Sequence, residues 1–554
     1  MQESTQASQR KFDVVVVGAG LAGVYALYKL RGLGLSVHVL EAGSGVGGTW
    51  YHNRYPGARC DIESLDYSYS FDDGLQQDWS WSERYAAQPE ILRYINHVAD
   101  RFDLRRNIQL DTKVTSAVFD EDSNEWTLST DAGEAFEARF AVMATGVLSV
   151  PQVPSTRGLE DFRGEWYHSG DWPHEGVDVR GKRVGVIGTG SSGTQMIPIL
   201  AEQADELLVF QRTPNFCMPA QNHPIKPEVE QEWKATYPER RAFARQSGFG
   251  HNQVTNPKSG KEVSAEERLA ELENRWNLGG LYMMRAFKDI LVDKEVNEEA
   301  SEFVRGKIRS IVADAETAEA LSPRHLPIGT KRLCSGTGYY ETFNRANVTL
   351  VNVKDSPIER ISATGVRTAE ADYDVDVLVF ATGFDAMTGA LNRLNPVGRG
   401  GLQLRDHWAA GPQTYLGLTV SGFPNMFIIA GPGSPSVFSN MVTSIEQHVE
   451  WVADAIDYLD SNGLKTIEAS REAERGWVQH VNEVAEGTLY RESKATWFYG
   501  SNIPGKPVVF MPYVGGVGNY WKRITELARA GYSGFLLDGD DQPVVPAEKA
   551  AVRA

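Results

Sequence analysis

Short runs of continuous apolar residues alternate along the chain with stretches of helical periodicity, the pattern of parallel strands buried on both faces and joined by crossover helices. Phe12 to Val17 is such a run. It leads into Gly18-Ala-Gly20-Leu-Ala-Gly23 and a helical stretch ending near Leu33, after which Ser36 to Leu40 forms a second strand ending at Glu41. The same pattern recurs at Arg183 to Ile187, followed by Gly188-Thr189-Gly190-Ser191-Ser192-Gly193, a helix to about Glu202, and Leu207 to Phe210 ending near Arg212. Arg139 to Met143 and Val375 to Phe380, each followed by Ala-Thr-Gly, read as later strands of the two sheets. Between about 221 and 330 the sequence turns charged and helical, with a capping box at Ser264 to Glu267 and with Val304, Ile308, Ile311 and Val312 at helical spacing.

The predicted fold is therefore α/β, with two Rossmann-like dinucleotide-binding domains and a helical insertion in the second. Residues 1–150 open the first domain, 151–220 open the second, 221–330 form the insertion, 331–385 complete the second domain, and 386–554 return to the first. The polar N-terminus and the Pro- and Ala-rich end from Asp541 read as loose tails. A chain of 554 residues is too long for one core. With 42% hydrophobic and 23% charged residues, the composition is globular.

A net charge of −18 argues against nucleic-acid and anionic-membrane partners. No apolar run approaches the ~20 residues of a membrane helix. With no secretory signal pattern, a cytoplasmic protein is expected; a monomer is the expected state, with an oligomer left open by the sequence. Cys60, Cys217 and Cys334 lie far apart without a CxxC pair, and no HExxH pattern occurs, so neither a disulfide framework nor a metal site is expected.

Glycines at this spacing after a strand serve a tight turn, a close backbone approach to pyrophosphate, and close helix–strand packing. Glu41 stands where a carboxylate accepts from a ribose diol, which suits the adenosine of FAD or NAD. Arg212 holds the corresponding place in the second unit, and a cation there favours the 2′-phosphate of NADPH. Lys331 is a further candidate for that phosphate.

Two segments carry a family resemblance. Phe162-Arg-Gly164-Glu-Trp-Tyr-His168-Ser-Gly-Asp-Trp172-Pro173 resembles the FxGxxxHxxxW(P/D) fingerprint of type I Baeyer–Villiger monooxygenases, class B flavoproteins, and lies between the two nucleotide motifs as in that family. Gly48-Thr49-Trp50 through Tyr55-Pro56-Gly57 to Asp61 resembles the family's second pattern, [A/G]GxWxxxx[F/Y]P[G/M]xxxD. The likeness runs from about residue 12 to about 537 and is greatest to the phenylacetone and steroid monooxygenases.

The resemblance implies that NADPH reduces FAD, that dioxygen adds at the flavin C4a, and that the resulting peroxyflavin converts a ketone to an ester or lactone, with sulfoxidation as a side activity. It makes Arg332 the active-site cation and Asp61 its positioning carboxylate. It extends the cofactor contacts to Gly48, Thr49, Trp50, Asp61, Tyr67, Thr189, Ser191, Ser192, Thr213, Lys331, Arg332 and Trp497, the last closing over the nicotinamide. His168 becomes a structural residue of the interdomain connection. Ser436, Val437, Phe438 and Met441 line the ketone pocket, where the phenylacetone-type branch has Leu in place of Phe438. Bulky aryl, cyclic or steroidal ketones are the expected substrates.

Three alternatives carry less. The N- and S-oxygenating flavoproteins end the FxGxxxH stretch in Tyr or Phe, whereas Trp172-Pro173 ends it here. A disulfide reductase needs a dithiol that this spacing of cysteines does not provide. A non-catalytic flavoprotein has no use for the arginine and aspartate.

Overall fold

The computed structural model describes residues 10–541. The two tails expected from the sequence lie outside them, apart from Arg10 and Asp541. Strand β1 (Arg10–Val17), helix α1 (Leu21–Gly32) and strand β2 (Val37–Leu40) form the first βαβ unit. Strand β3 (Ala135–Met143) lies parallel to β1 on the side away from β2. The late strand Met426–Ile428 then pairs with β3, so the chain returns to its first sheet near its end. The continuous apolar run of β1 has a direct cause. Val14 and Val16 enter one core and Val15 enters the core on the opposite face, and all three are fully buried.

Strand β4 (Arg183–Ile187), helix α2 (Ser191–Gln203), strand β5 (Glu206–Gln211) and strand β6 (Val377–Phe380) build the second sheet. Its order is Val348–Asn352, β5, β4, β6, Glu165–His168, with every pairing parallel. Val184, Val186, Val377 and Val379 face one core, while Leu208, Phe210, Leu378 and Phe380 face the other. Among the described residues no helix is long and apolar enough to cross a membrane.

The capping box forms as predicted, with Ser264 and Glu267 capping the helix Ala265–Leu278. The insertion as a whole departs from the expectation, because it does not belong to the second unit alone. Trp233 and Tyr237 pack into the first unit's core, and Arg241 donates to Ser68 (2.6 Å), Gln76 (3.0 Å) and the Asp66 carbonyl (3.1 Å). Leu272, Trp276, Val304 and Ile308 instead join the second unit's core. The insertion thus spans the two sheets, a division that helical periodicity cannot reveal.

The chain crosses between the units twice, and the crossings lie side by side. The Gln152 N–H donates to the Gly383 carbonyl and the Asp385 N–H to the Val150 carbonyl, both at 2.9 Å. His168 pins this junction. Its Nδ1 accepts from the Gly170 N–H at 2.9 Å, so the neutral ring carries its proton on Nε2, which faces the Thr382 hydroxyl at 3.3 Å. Burial lowers its pKa, and at 2% exposure it is a buried neutral strut.

A methyl group added at Gly23 would stand 1.8 Å from the Gly18 carbonyl oxygen, whereas one added at Gly32 would meet nothing within 4 Å. Gly23→Ala is expected to cost about 1–3 kcal/mol or more by overpacking. Gly32→Ala should gain about 0.5 kcal/mol of helix propensity. Thermal melting of the two variants checks this contrast.

Candidate active site

Both helix N-termini that follow the glycine motifs are open. The N-caps of α1 and α2 are Gly20 and Gly190; neither has a side-chain cap, and neither first turn holds an acidic residue. The orphan N–H groups of those turns are therefore free for an anion. Gly18 and Gly188 adopt φ of +103° and +112°, and a Cβ at either would stand 2.6 or 2.5 Å from the carbonyl oxygen of Ala144 or Ala381, the first residues of the two Ala-Thr-Gly segments. Each of those segments thus abuts the glycine turn of its own sheet. Beyond Gly190 a Cβ meets nothing within 4 Å, while Gly20 approaches Gly48 of the neighbouring loop.

Glu41 is buried, and its oxygens accept from the Ala19 N–H (2.6 Å) and the Gly43 N–H (2.7 Å). Its remaining lone pairs suit ribose hydroxyls. Trp50 donates its indole N–H to the Tyr67 hydroxyl at 3.0 Å, and both rings are buried. Thr49, itself exposed, begins a short turn of helix at the Gly48 corner. In the second unit, Thr189 lies within reach of Gln211 (3.3 Å) and of the Thr213 carbonyl (3.5 Å), and the Ser191 hydroxyl contacts the Cys334 thiol at 3.6 Å. Ser192 stands beside the Tyr55 hydroxyl. These donors, turns and open helix ends fit two dinucleotides.

Arg212 is exposed and stands within the electrostatic field of Lys331. Burial, with the like charge of Arg212 adding to it, pushes the Lys331 ammonium below its ordinary range. Two neighbouring cations with no ion-paired carboxylate among the described residues suit a phosphate.

Arg332 lies where the two units meet. Its Nε donates to Asp61 at 3.1 Å and its Nη2 reaches both Asp61 oxygens at 2.7 and 2.6 Å, while Nη1 donates to the Val437 carbonyl at 2.6 Å. Burial opposes the charge, but the Asp61 carboxylate more than offsets it, and the guanidinium pKa is raised. Asn215 fixes the backbone, donating to the Arg332 carbonyl at 2.9 Å.

The predicted pocket loop divides its duties. Ser436 is fully buried and turns inward, its hydroxyl donating to the Ala430 carbonyl at 3.2 Å, and Val437 contributes its carbonyl to Arg332. Met441 begins the helix Met441–Asn462. Phe438 lines a narrow cleft of about 30 Å³, shared with Phe249, Leu291, Pro435, Tyr490 and Tyr513. Phe438 also packs on Phe498 at 4.5 Å, and the half-buried Trp497 packs on Phe498 from beyond at 4.4 Å. Of the four pocket residues named from the sequence, Phe438 is the one that lines this cleft.

Sequence reasoning missed Gln195, which accepts from Tyr55 at 2.8 Å and donates to the Arg59 carbonyl at 3.1 Å, tying the Asp61 loop to α2. The signal lay half in the Tyr-Pro-Gly motif, since a Cβ at Gly57 would stand 2.4 Å from the Gln195 carbonyl oxygen. It also missed Asn215 and Phe249.

Residues 15–273 match the family model described as pyridine nucleotide-disulphide oxidoreductase. The chain is 43% identical to acetone monooxygenase (methyl acetate-forming) of Gordonia sp. (strain TY-5), over 96% of this chain and 100% of that protein. The solved structure of an oxidized steroid monooxygenase bound to NADP is 54% identical, with a TM-score of 0.91 over 95% of this chain and 99% of the other. The chain belongs to the Baeyer–Villiger monooxygenase family. The structure of OTEMO in complex with FAD and NADP is 40% identical, with a TM-score of 0.92 over 96% of this chain and all of that one. Phenazine N-monooxygenase PhzNO1 of Lysobacter antibioticus is also 43% identical, over 96% of this chain and 98% of that protein. Identity alone therefore does not separate carbon from nitrogen oxygenation within the family. The three cysteines are free and buried, so the disulphide chemistry named by the family model has no exposed dithiol among the described residues.

Charge-assisted hydrogen bonds contribute about 1.5–3 kcal/mol. Arg212→Ala is expected to lower the NADPH/NADH ratio of kcat/KM by about tenfold or more, and steady-state kinetics with both nucleotides measure it.

Proposed function

We propose that this chain uses NADPH, FAD and dioxygen to insert one oxygen atom beside a ketone carbonyl, giving an ester or lactone. The observation that carries the reading is the Arg332–Asp61 pair, a permanent cation held in fixed orientation at the junction of two dinucleotide units. Bound FAD, reduced by NADPH, supplies the electrons that activate dioxygen.

The chain's own residues do the rest. Gly20 and Gly190 present open helix ends to the two pyrophosphates, Glu41 accepts from the ribose of FAD, and Arg212 with Lys331 holds the 2′-phosphate of NADPH. The described residues within 1–150 and 386–554 make the FAD domain in this reading, and 151–220 with 331–385 make the NADPH domain. Arg332 places positive charge where the ketone oxygen becomes anionic, already oriented and therefore without reorganisation cost during the reaction. Asp61 and the Val437 carbonyl fix that orientation, and Asn215 fixes the backbone. Phe438, Phe498, Tyr490 and Phe510 make an aromatic wall that excludes water and accepts bulky aryl, cyclic or steroidal ketones. Trp497 stands outside that wall, placed to close over nicotinamide. Both nucleotide units and the cation come from one chain, which suits a monomer, and three free thiols suit the cytoplasm.

Oxygen transfer to an amine or sulfide forms no oxygen anion on a carbonyl carbon, so the fixed cation favours the ketone reaction. Arg332→Ala should retain NADPH-driven flavin reduction, followed by flavin absorbance, while losing ester formation by at least about 10²-fold. A ketone panel under isotopically labelled dioxygen, read by mass spectrometry, checks the reaction; label in sulfoxide or N-oxide but never in ester or lactone would overturn it.

A further inference from the structure

The carboxylate that orients Arg332 is not itself oriented by any other side chain. Among the described residues, Arg332 is the one hydrogen-bond donor to the Asp61 carboxylate. The place of that carboxylate is therefore set by the backbone of its loop, Tyr55-Pro56-Gly57-Ala58-Arg59-Cys60-Asp61. The first unit holds one side of the loop. The Gln88 N–H donates to the Ala58 carbonyl at 2.8 Å, the Cys60 N–H to the Ala86 carbonyl at 3.2 Å, and Arg59 Nη1 to the Tyr85 carbonyl at 2.9 Å.

On the side of the second unit the hold comes from Gln195, four residues after Ser191 on α2 and so one turn below its open N-terminus. Its amide meets the backbone of Arg59 as another peptide group would. Oε1 accepts from the Arg59 N–H at 3.4 Å, and Nε2 donates to the Arg59 carbonyl at 3.1 Å. Oε1 also accepts from the Tyr55 hydroxyl at 2.8 Å. Burial pushes the Tyr55 pKa up to about 12, which keeps that proton in place, and Ser192 of the glycine turn bonds to the same hydroxyl. Both ends of the amide are thus committed, since turning it over would set donor against donor. The loop also lies hard against the helix, where a Cβ at Gly57 would stand 2.4 Å from the Gln195 carbonyl oxygen. Packing alone asks for no amide here, because the adjacent Met196 and Ile197 are the residues of this turn that serve the core.

We propose that Gln195 is a positioning residue for oxygen transfer: by clamping Arg59 and Tyr55 to the nucleotide helix, it holds Asp61, and through it the Arg332 guanidinium, in register with the second dinucleotide. This rests on the ketone reading above and adds to it the residue that keeps the cation aimed. Aim matters because a misplacement of about 1 Å can cost about 10²-fold in rate. Reduction of the flavin develops no anion on a carbonyl oxygen, so a misaimed Arg332 weighs on oxygen insertion more than on the reductive step.

Three variants of the holoenzyme test the clamp. Gln195→Met keeps the length of the side chain and removes its bonds to Arg59 and Tyr55, Tyr55→Phe removes the hydroxyl alone, and Gln195→Glu keeps the acceptor and loses the donor. Stopped-flow absorbance gives the rate of flavin reduction by NADPH, and ester formed per NADPH consumed is measured with hydrogen peroxide as the remainder. In Gln195→Met, ester formation should fall about tenfold or more beyond any fall in flavin reduction. The difference should appear as NADPH, dioxygen and a proton giving NADP+ and hydrogen peroxide. Gln195→Glu should lie between this variant and the parent, and Tyr55→Phe should show a split of about threefold, which carries the comparison if the Met variant does not fold. A crystal structure of Gln195→Met, or of Tyr55→Phe in that event, should show the Asp61–Arg332 contacts lengthened beyond about 3.5 Å or divided between two conformers. Equal losses in the two rates, as a general loss of stability gives, or an Asp61 unmoved in the crystal, overturn the proposal. Should the parent reduce its flavin yet form ester from no ketone, the ketone reading fails, and the position of Asp61 in the variant crystal then decides the clamp by itself.

Discussion

The arrangement depends on one ion pair between residues 271 positions apart, Asp61 on a loop of the first unit and Arg332 on the segment leaving the insertion. A charge taken from water is tolerated only with a partner of good geometry, and removing either member leaves the other uncompensated. Here the guanidinium meets both carboxylate oxygens, and its other arm meets a backbone carbonyl. The pair therefore does two things at once. It joins the units, and it fixes the direction of a positive field.

That field is useful only if the two nucleotides are held in register with it. Each nucleotide turn is braced by the Ala-Thr-Gly segment of its own sheet, and the two sheets are joined by crossings that hydrogen-bond to each other beside His168. The insertion adds a third tie, docking Trp233 and Tyr237 on one core and Trp276 on the other. The Lys506 ammonium, bonded to Asp385 at 2.6 Å, fastens the segment after Trp497 to the same junction. Arg332 thus sits in a frame closed from several sides by residues remote from it in the sequence.

Much of this was legible in the chain. A strand buried on both faces must be apolar at every position, which is why β1 and β4 stood out. Glycine is required wherever a Cβ would strike a carbonyl oxygen, which is why Gly18 and Gly188 could be placed before any coordinates. Arg332 and Asp61 were legible only through the likeness of their motifs, since nothing in their spacing says that they meet. Ser436 illustrates the limit. It sits in the pocket loop by sequence, but its φ of +36° and its bond to Ala430 turn it away from the cleft that Phe438 enters.

The sequence alone determined the two βαβ units, the sites of the glycine turns and the signs of charge at their second strands, because each is set by neighbours within a few dozen residues. Tertiary structure alone decided which cores the insertion joins and that Gln195 ties the Asp61 loop to the second unit. Those outcomes depend on desolvation and on partners drawn from distant segments. A residue's type can state what it needs, but the packing of the whole chain settles whether that need is met.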